Sequence, residues 1–579
     1  MEELIVKVTK RAKQWLGESF DENTRAQVAE LLADKDKTPL IEAFYKDLEF
    51  GTGGLRGIMG AGTNRMNIYT VGMATQGLAD YLNNNFKNLS QISAVVGFDC
   101  RNNSKLFARA VADIFSANGI KVYLFDDMRP TPEISYAIRY LGCQSGVNIT
   151  ASHNPREYNG YKAYWDDGAQ VLAPHDTGII EQAARVKVSD VKFKGNPDLI
   201  EIVGEKIDQS YLNAVRTVSL DPDLVKRNGD ISLVYTPLHG AGRIMIPRSL
   251  ALWGFTNVNT VESQMIPDGN FPTVVSPNPE NAEALFLALE KARSINAELV
   301  MASDPDADRL GIACKDDTGN WVLINGNQTC LIFIYYIITQ YSKLDKFTGK
   351  EFIVKTIVTT DLINRIAAVN NLELFDCYTG FKWIAKVIAE ETAKGKKYIG
   401  GGEESFGFLA QDFVRDKDAV SACCLMAEIA AWARENGKTL YQLLLDIYTE
   451  YGFSQEGTVN VSKPGKSGAE QINKMMESFR VAPPIMLSGE RVVLKKDFLT
   501  LIQTDYNGVE TPLDMPEPSN VLQYFTESGH KVSVRPSGTE PKIKFYIEAK
   551  GELKSRQEFA SAQRKAMGII KNISADMGL

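Results

Sequence analysis

The chain has 579 residues, of which 44% are hydrophobic and 23% are charged, and these fractions exclude a disordered or collagen-like protein. Its 64 basic and 72 acidic residues give a net charge of -8, which excludes a global basic field for nucleic acid or for an anionic membrane. At about 150 residues per domain, the length predicts roughly four domains.

The seven cysteines are scattered along the chain without a C-x-x-C pair, which disfavours a zinc ribbon and a disulfide framework. The N-terminal sequence MEELIVKVTKRAKQWLGE has charges among its apolar residues and does not resemble a signal peptide. The most apolar long stretch, residues 330–339, is about half the roughly 20 residues needed to cross a bilayer. We therefore expect a cytoplasmic protein with no nucleic-acid or membrane partner.

From residue 92 onward, the sequence alternates between β-rich runs and amphipathic helical runs. The first pass predicts strands at 93–99, 120–126 and 145–150, with helices at 104–119 and 131–142 between them. This βαβαβ order indicates a mostly parallel sheet with helices on its faces.

The same alternation returns twice. The second pass predicts strands at 231–240, 257–262 and 297–303, with helices at 243–255 and 281–296. The third predicts strands at 351–360, 372–380 and 396–400, with helices at 361–371 and 381–395. After residue 451 the pattern becomes a smaller α+β segment that ends in a polar helix. The predicted fold is α/β: three similar domains with mixed, mostly parallel sheets (1–207, 208–324 and 325–450), and a smaller α+β domain (451–579).

Each pass ends in an unusual polar string directly after its last strand. These strings are TASHNP (150–155), DPDADR (304–309) and GGEESFG (401–407). Ligands of such sheets bind at the carboxyl ends of the strands. The position of the strings therefore predicts that each pass delivers functional side chains from this loop.

Three aspartates stand at every second position of the second string. Asp304, Asp306 and Asp308 offer the oxygen ligands that Mg²⁺ and Ca²⁺ prefer. An EF-hand is excluded, because Arg309 and Lys315 stand where its sixth-position glycine and twelfth-position glutamate belong. A set of turn-forming aspartates is the alternative. We favour a divalent metal site, since carboxylates this close repel one another without a cation.

The first string places Ser152 at a strand-to-loop turn. A loop serine by itself is most often a turn former, but a phosphorylated Ser152 would add a fourth oxygen ligand to the same cation. His153 is expected to be a local hydrogen-bond partner, with direct proton transfer as the alternative. Lys162 is the better candidate for a general acid or base, because a lysine beside other cations can have a lowered pKa.

Two further strings favour a phosphorylated sugar as ligand. The carboxylates of GGEESFG could accept hydrogen bonds from vicinal hydroxyls, although a solvated acidic turn fits equally well. The string RPSGTEPKIK (535–544) combines cations, hydroxyls and amides around a glycine and is typical of an anion-binding turn, with a plain surface turn as the alternative. His239, which follows a predicted strand, is a further candidate for substrate contact.

Two glycine-containing motifs are rejected as nucleotide sites. In the G-x-G-x-x-G frame that starts at Gly51, Arg56 occupies the last glycine position, and Asn460 replaces the first glycine of a Walker A motif ending in PGKS. The isolated histidines His175 and His530 are predicted to be surface residues.

The four strings together resemble, in chain order, the phosphoserine, metal, sugar and phosphate loops of the α-D-phosphohexomutase superfamily, the phosphoglucomutase and phosphomannomutase group. The resemblance spans nearly the whole chain. It implies four domains around a central cleft, with the first three similar and the fourth mobile. We expect a monomer or homodimer whose ligand is a small phosphosugar.

The resemblance also implies residue roles. Ser152 would carry a phosphoryl group, and Mg²⁺ would be held by Asp304, Asp306, Asp308 and a phosphoserine oxygen. Arg56 would lie near the transferring phosphoryl group and Lys162 near the attacking hydroxyl. The implied substrate contacts are Arg309 and Lys382, Glu403 and Ser405 for ring hydroxyls, and Arg535, Ser537, Gly538 and Thr539 for the phosphate that is not transferred.

The implied reaction interconverts hexose 1-phosphate and hexose 6-phosphate, preferably of glucose and secondarily of mannose. It runs through a phosphoserine enzyme and a bisphosphorylated sugar, with glucose 1,6-bisphosphate or an equivalent as activator. One alternative is a phosphopentomutase that converts ribose 1-phosphate to ribose 5-phosphate, which the length and the context TASHNPREYNGYKAYW also fit. The other is a noncatalytic phosphosugar-binding protein, which the intact Ser152 and aspartates disfavour.

Overall fold

The computed structural model of the protein describes residues 2–49, 54–463, 466–537 and 542–579. The chain forms two compact units: the first comprises residues 1–313 and 407–431, and the second comprises residues 314–406 and 432–579. The backbone therefore passes from one unit to the other three times.

The first unit begins with three helices and a mixed sheet with its covering helices. These elements are α1 (Glu2–Gln14), α2 (Glu22–Ala33), α3 (Thr38–Phe44), β1 (Gly54–Ile58), α4 (Ile68–Asn85), β2 (Ser93–Phe98), α5 (Ser104–Ala117), β3 (Lys121–Phe125), α6 (Thr131–Leu141), β4 (Ser145–Ile149), β5 (Tyr158–Trp165), α7 (His175–Ala183) and β6 (Ile200–Val203). Short 3₁₀ turns lie at Val188–Asp190 and Pro197–Leu199.

The sheet of this segment has the strand order β1-β5-β4-β2-β3-β6. Strand β2 pairs in parallel with β3 and β4, whereas β5 pairs antiparallel with β4 and β1. The predicted strands and helices of the first pass are confirmed. Every residue of β4 is buried, which explains why its sequence does not alternate between apolar and polar residues.

Two parts of this segment are missing from the prediction. Strands β1 and β5 form an antiparallel extension of the sheet, and β5 carries Lys162. The three N-terminal helices bury a cluster of their own, in which the rings of Trp15 and Phe20 stack at 4.6 Å. Their apolar residues are interspersed with charges because one face of each helix is exposed.

The first unit continues with a second α/β segment. Its elements are α8 (Glu205–Arg216), α9 (Pro222–Asn228), β7 (Leu233–Thr236), α10 (Gly242–Trp253), β8 (Val258–Thr260), α11 (Phe286–Ser294) and β9 (Leu299–Ser303), with a 3₁₀ turn at Glu262–Gln264. Strand β10 (Leu310–Lys315) begins in this unit, and its last two residues belong to the second. Strand β7 pairs in parallel with both β8 and β9. The elements of the second pass are confirmed, but α11 starts five residues later than predicted, because residues 281–285 form turns.

The second unit contains the third pass and the C-terminal segment. Its first elements are β11 (Trp321–Ile324), α12 (Gly326–Lys343), β12 (Glu351–Thr356), α13 (Leu362–Val369), β13 (Glu373–Cys377), α14 (Phe381–Ala393) and β14 (Lys397–Gly402). The chain then returns to the first unit, where strand β15 (Phe408–Leu409) lies and helix α15 (Ala419–Glu435) begins. Helix α16 (Leu440–Tyr451) again belongs to the second unit. Strand β12 pairs in parallel with β13 and β14, as the third pass predicts.

The C-terminal segment is an antiparallel sheet with two helices. Its elements are β16 (Phe453–Ser462), α17 (Lys466–Val481), β17 (Met486–Leu487), β18 (Glu490–Asp497), β19 (Ile502–Asp505), β20 (Glu510–Pro512), β21 (Leu522–Thr526), β22 (Lys531–Pro536), β23 (Lys542–Gly551), a 3₁₀ turn at Arg556–Glu558, and α18 (Phe559–Asp576). The main strand order is β16-β23-β22-β21-β18-β19-β20, so the predicted α+β character is confirmed.

The apolar stretch 330–339 lies inside α12 and is mostly buried in the protein. Within the described ranges, none of the helices combines the length and the hydropathy of a membrane span. The prediction that His530 is a surface residue is wrong, because its side chain is buried and its Nδ1 accepts a hydrogen bond from the Lys550 backbone N–H.

Candidate active site

The loop after β4 holds Ser152 in a buried and conformationally unusual position. Its backbone φ of 50° lies in the left-handed region, and its N–H donates to Thr150 Oγ1 at 2.9 Å. The Ser152 hydroxyl donates to Asp304 Oδ2 at 2.6 Å, and its oxygen lies 3.2 Å from His153 Nδ1. The structure thus brings the predicted serine directly to the predicted metal loop.

An arginine that the sequence analysis missed holds this loop in place. The Arg101 guanidinium donates to four backbone carbonyls, those of Ser152, Asn154, Pro155 and Tyr158. Its Nε lies 3.4 Å from Asp99, and both side chains are completely buried. Because Arg101 follows β2 without a distinctive motif, its role depends on the parallel pairing of β2 with β4.

The loop after β9 brings the three aspartates together. Their carboxylate oxygens lie within 4.8 Å of one another, and all three side chains are buried. Asp304 Oδ1 accepts hydrogen bonds from the backbone N–H groups of Asp308 and Arg309, which fold the loop around it. Burial and the charges of Asp306 and Asp308 hold the pKa of Asp304 well above its usual value.

The donor set of this cluster fits a divalent metal ion. Asp306 Oδ1 and Asp308 Oδ1 are buried and have no hydrogen-bond partner among the described residues. Buried carboxylate oxygens without a partner are costly unless a cation is bound. Oxygen ligands at this spacing suit Mg²⁺ or Ca²⁺, so the aspartate triad could hold a hard metal ion.

Two lysines contact the triad from outside the loop. Lys162 Nζ lies 2.7 Å from Asp306 Oδ2 and 2.9 Å from Asp308 Oδ2. Lys417 Nζ, which the sequence analysis missed, lies 3.2 Å from Asp308 Oδ2 and 2.9 Å from Asp416. Both lysines place positive charge beside the carboxylates.

The prediction that neighbouring cations lower the pKa of Lys162 is wrong. Burial does act to lower this pKa, but the carboxylates of Asp306, Asp308 and Asp416 outweigh it and raise the pKa above its usual value. Burial and the Asp308 charge act to raise the pKa of Asp306, but the contact with Lys162 outweighs them and holds this pKa below its usual value. Sequence reasoning could not anticipate this, since β5 was not predicted.

Two predicted side chains flank the serine. Burial, together with Arg309, Arg56 and Arg101, holds the pKa of His153 well below its usual value. Its position beside Ser152 agrees with the predicted hydrogen-bond role. Arg56, on the edge strand β1, donates to Asn154 Oδ1 at 3.2 Å and is solvent-exposed. It therefore lies at the rim of the serine loop.

The other two predicted residues of the first unit are differently placed. Arg309 Nη1 forms an ion pair with Glu280 at 2.9 Å, so a substrate anion would compete with that carboxylate. His239 is buried, and its ring nitrogens lie 2.8 Å from the Ile266 carbonyl and 2.8 Å from Thr273 Oγ1. Both nitrogens are thus engaged within the protein, which indicates a structural role.

In the second unit, the sugar-loop candidates lie beside the start of α14. Glu403 Oε1 accepts the Gly380 backbone N–H at 2.8 Å, and Lys382 follows in the first turn of that helix. Glu404 accepts hydrogen bonds from Thr356 and Thr359, and burial followed by the Glu403 charge raises its pKa. Ser405 is half-buried in the same loop.

The phosphate-loop candidates lie at the mouth of the hairpin formed by β22 and β23. Arg535 pairs in register with Lys544, and the Ser537 N–H donates to the Lys542 carbonyl at 2.6 Å. Two cations therefore flank the turn. Gly538 and Thr539, the other two predicted phosphate contacts, lie outside the described residues.

Four family models match consecutive parts of the chain. They are the phosphoglucomutase/phosphomannomutase alpha/beta/alpha domains I (47–189), II (209–319) and III (325–451) and the C-terminal domain (468–565). The domain boundaries predicted from the sequence (1–207, 208–324, 325–450 and 451–579) stay a prediction.

Curated relatives match over most of the chain. A phosphoglucomutase from Staphylococcus haemolyticus is 36% identical over 516 residues, covering 87% of this chain and 91% of the relative. A phosphoglucomutase from Staphylococcus aureus strain USA300 is 37% identical over 519 residues, covering 88% and 91%.

Solved structures share the fold. Parafusin, a phosphoglucomutase from Paramecium in its open form, matches with a TM-score of 0.67 and 18% identity over 92% of this chain and 96% of that one. A phosphoglucomutase/phosphomannomutase family protein from Burkholderia thailandensis matches with a TM-score of 0.63 and 19% identity over 90% and 97%.

A buried serine on an aspartate triad, in an α/β chain with an antiparallel C-terminal sheet, is the arrangement of a phosphoryl-transfer enzyme. The chain belongs to the phosphoglucomutase/phosphomannomutase family of the α-D-phosphohexomutase superfamily. It is accordingly an isomerase of the intramolecular phosphotransferase type.

Proposed function

We propose that the chain interconverts glucose 1-phosphate and glucose 6-phosphate, with mannose phosphates as secondary substrates, through a phosphoserine at Ser152. The observation that carries this proposal is the 2.6 Å contact between Ser152 Oγ and Asp304 in a buried triad. The preference for glucose is supported by relatives at 36–37% identity that are named phosphoglucomutase.

The proposed exchange conserves phosphate over a full cycle. The bond between phosphorus and Ser152 Oγ breaks while a new bond forms to a free hydroxyl oxygen of the sugar phosphate. The hydroxyl proton leaves to a base, and the serine oxygen regains a proton. The bisphosphorylated sugar then turns and returns its other phosphoryl group to Ser152 by the same exchange, so glucose 1,6-bisphosphate serves as activator by charging the serine.

Residues of the first unit are assigned to positioning and charge. Asp304, Asp306 and Asp308 would hold Mg²⁺, which when bound neutralises charge on the transferring phosphoryl group. Arg101 fixes the serine loop through its four carbonyl contacts. Because its raised pKa keeps Lys162 protonated, we assign to it the donation of a proton to the serine oxygen, and we assign positive charge near the phosphoryl group to Arg56.

Residues of the second unit are assigned to the rest of the substrate. Glu403 and Ser405 would accept or donate hydrogen bonds to ring hydroxyls, and Lys382 would contact the sugar phosphate. Arg535 and Ser537 would hold the phosphate that is not transferred, since guanidinium groups bind phosphate with paired hydrogen bonds. In the first unit, Arg309 would bind a substrate phosphate once its ion pair with Glu280 is broken.

A coupled mutase assay tests this proposal. Glucose 1-phosphate, mannose 1-phosphate and ribose 1-phosphate are compared with Mg²⁺ and a trace of the matching sugar bisphosphate. We expect the highest kcat/KM for glucose 1-phosphate. A higher value for ribose 1-phosphate would assign the chain to pentose phosphates, and no turnover of any substrate would favour a binding protein.

Labelling tests the covalent step separately. After incubation with phosphorus-labelled glucose 1,6-bisphosphate, we expect label on the peptide that contains Ser152. Label on another residue, or no label in an active enzyme, would contradict the phosphoserine assignment.

We also place this reaction in the cytoplasm, which agrees with seven unpaired cysteines.

A further inference from the structure

The second unit contains a cavity that none of the proposed catalytic residues lines. Its volume is about 800 Å³, within the range typical of small-molecule sites. One wall comes from the start of α13 and from β13, and the other from β18, β21 and the segment 513–515. The cavity therefore lies between the segments that match family domains III and IV.

This cavity is separated from the sugar loop by a strand. Strand β12 lies between β13, which lines the cavity, and β14, which leads into the sugar loop. Lys531 at the start of β22 lines the cavity, whereas Arg535 stands near the other end of that strand. A ligand here would thus bind apart from Glu403 and Arg535.

Three lysines surround Asp361, one of the aspartates that line the cavity together with Asp376 and Asp514. Asp361 lies 2.6 Å from Lys531, 3.4 Å from Lys355 and 3.7 Å from Lys550. These three lysines outweigh the effect of burial and hold the pKa of Asp361 below its usual value. One carboxylate therefore faces three ammonium groups, two of which have a second acidic partner, Asp376 for Lys355 and Glu548 for Lys531.

One lysine that lines the cavity forms no ion pair with any acidic residue that the structure describes. Among the described residues, Lys496 Nζ forms no ion pair, and its ammonium lies over the Phe525 ring at 5.2 Å. Burial lowers its pKa, and the charges of Lys531 and Lys355 lower it further despite Asp376 and Asp361. A half-buried ammonium beside other cations is stabilised by an incoming anion.

Other side chains that line the cavity are apolar. Phe498, Leu513, Met515, Leu374 and Ile357 line the cavity together with Phe375. Phe498 and Ile357 also belong to a buried apolar cluster, against which Leu513 and Met515 pack. Apolar walls of this kind would contact the uncharged part of a ligand whose anionic group meets the lysines.

We propose that this cavity is a second binding site for a phosphorylated metabolite, with Lys496 and Lys550 contacting the phosphate and the apolar wall contacting the rest of the ligand. The ligand would bridge β13 and β18 and so join two family domains of the second unit. The proposal does not depend on which sugar the enzyme converts, because none of the described residues proposed as substrate contacts lines the cavity.

Calorimetric titration with AMP and, separately, with inorganic phosphate tests this site. The proteins compared are wild type, Lys496→Met, Lys496→Arg and the control Lys495→Met. Lys495 is the neighbouring residue on β18 and contacts the Arg480 carbonyl instead of the cavity. Phosphate binding at the catalytic loops contributes equally in all four proteins. An affinity that depends on Lys496 therefore measures binding in the cavity.

We expect AMP affinity to fall about tenfold in Lys496→Met, as for the loss of one charged hydrogen bond, and to recover in Lys496→Arg. Phosphate alone should bind more weakly than AMP; equal affinities would assign the site to free phosphate. The proposal is overturned if neither probe depends on Lys496, or if Lys495→Met weakens binding equally. Thermal unfolding of each variant checks that the fold is retained, and turnover without AMP should be unchanged.

Discussion

At the scale of single residues, the site depends on contacts between parts of the chain that are far apart in sequence. Ser152 contacts Asp304 across 152 positions, and Lys162 contacts Asp306 across 144. Ser152, Asp304 and Asp306 are short side chains whose positions are set by their loops, whereas the position of Lys162 is set by strand β5. Substitutions that keep the loop should therefore separate chemistry from stability.

Replacing Ser152 with alanine removes the proposed phosphoryl acceptor. We expect mutase activity to fall by at least about a thousandfold, because among the described residues only the Ser152 hydroxyl donates to Asp304. The unfolding free energy should change by no more than about 1 kcal/mol, since a loop hydroxyl contributes little to the core. Activity assays and thermal unfolding measure the two effects.

The control for this variant is Ser276→Ala. The Ser276 hydroxyl donates to the His153 carbonyl at 3.2 Å and so contacts the same loop without joining the triad. It should keep most of the activity. Substantial turnover by Ser152→Ala would contradict the phosphoserine mechanism.

Replacing Asp306 with asparagine removes one charge from the triad. We expect Mg²⁺ to bind at least about tenfold more weakly, because a carboxylate ligand becomes a neutral amide. Calorimetric titration with Mg²⁺ measures this, and partial recovery of turnover at high Mg²⁺ should accompany it. Asp317→Asn, on an exposed turn after β10, is the control. Unchanged Mg²⁺ affinity in Asp306→Asn would exclude Asp306 as a ligand.

At the scale of elements, the loops that follow β7 and β9 touch through backbone atoms. A Cβ added at Gly240 would meet the Pro305 Cα at 2.4 Å, and the Ala241 N–H donates to the Pro305 carbonyl at 2.8 Å. The metal loop therefore rests on the loop after β7. His239 supports that loop through its two ring-nitrogen contacts.

The Gly240→Ala variant should displace the metal loop. We expect weaker Mg²⁺ binding together with a loss of stability of about 1–3 kcal/mol, the usual range for overpacking. The matched control is Gly568→Ala in α18, where an added Cβ meets nothing within 4 Å. This control should be neutral or slightly stabilising, because alanine favours a helix over glycine. Unchanged Mg²⁺ affinity in Gly240→Ala would show that the contact does not position the triad.

Strands β16 and β23 place two glutamates opposite each other. Glu456 is paired in register with Glu548, and burial followed by the Glu548 charge raises the pKa of Glu456 to about 7. The folded state thus keeps this proton between about pH 4.5, where the unfolded group titrates, and about pH 7. The pair therefore lowers stability as the pH rises through this window.

Glu456→Gln should remove this pH dependence. We expect the variant to gain thermal stability relative to wild type at pH 8 and to gain little at pH 4.5, because the wild-type side chain is then neutral. Melting temperatures at both pH values measure the difference. The exposed Glu477→Gln is the control. A gain that is equal at both pH values would contradict the role of the charge pair.

At the scale of the whole molecule, the two units carry different parts of the proposed chemistry. The serine loop and the aspartate triad both lie in the first unit, whereas residues 401–406 of the sugar loop and the whole phosphate loop belong to the second. The elements of each unit could largely be predicted, because the strands and helices repeat a regular pattern. The division of the chain into these two units could not be predicted, because residues 407–431 return to the first unit after the chain has entered the second.

Mg²⁺ should therefore protect the first unit selectively. At about 100 times its Kd, a ligand that binds only the folded state contributes about 2.7 kcal/mol of stability. We expect slower hydrogen exchange in peptides spanning 150–162 and 300–312, measured by mass spectrometry. The peptide 520–530 serves as the control, because no metal-ligand candidate lies there. Equal protection of that control would argue against a site at the triad.

The sequence by itself determined the class of fold and the strings that carry chemistry, because strand and helix periods and the spacing of Asp304, Asp306 and Asp308 are local properties. Only the tertiary structure decided which side chains share the site. Lys162 reaches the triad because β5 pairs antiparallel with β4, Arg101 reaches the serine loop because β2 lies beside β4, and Lys417 arrives on a returning segment. The partners of His239 are set in the same way, because hydrogen bonds between residues distant in sequence form only when the sheets are assembled; its role as a substrate contact stays a prediction.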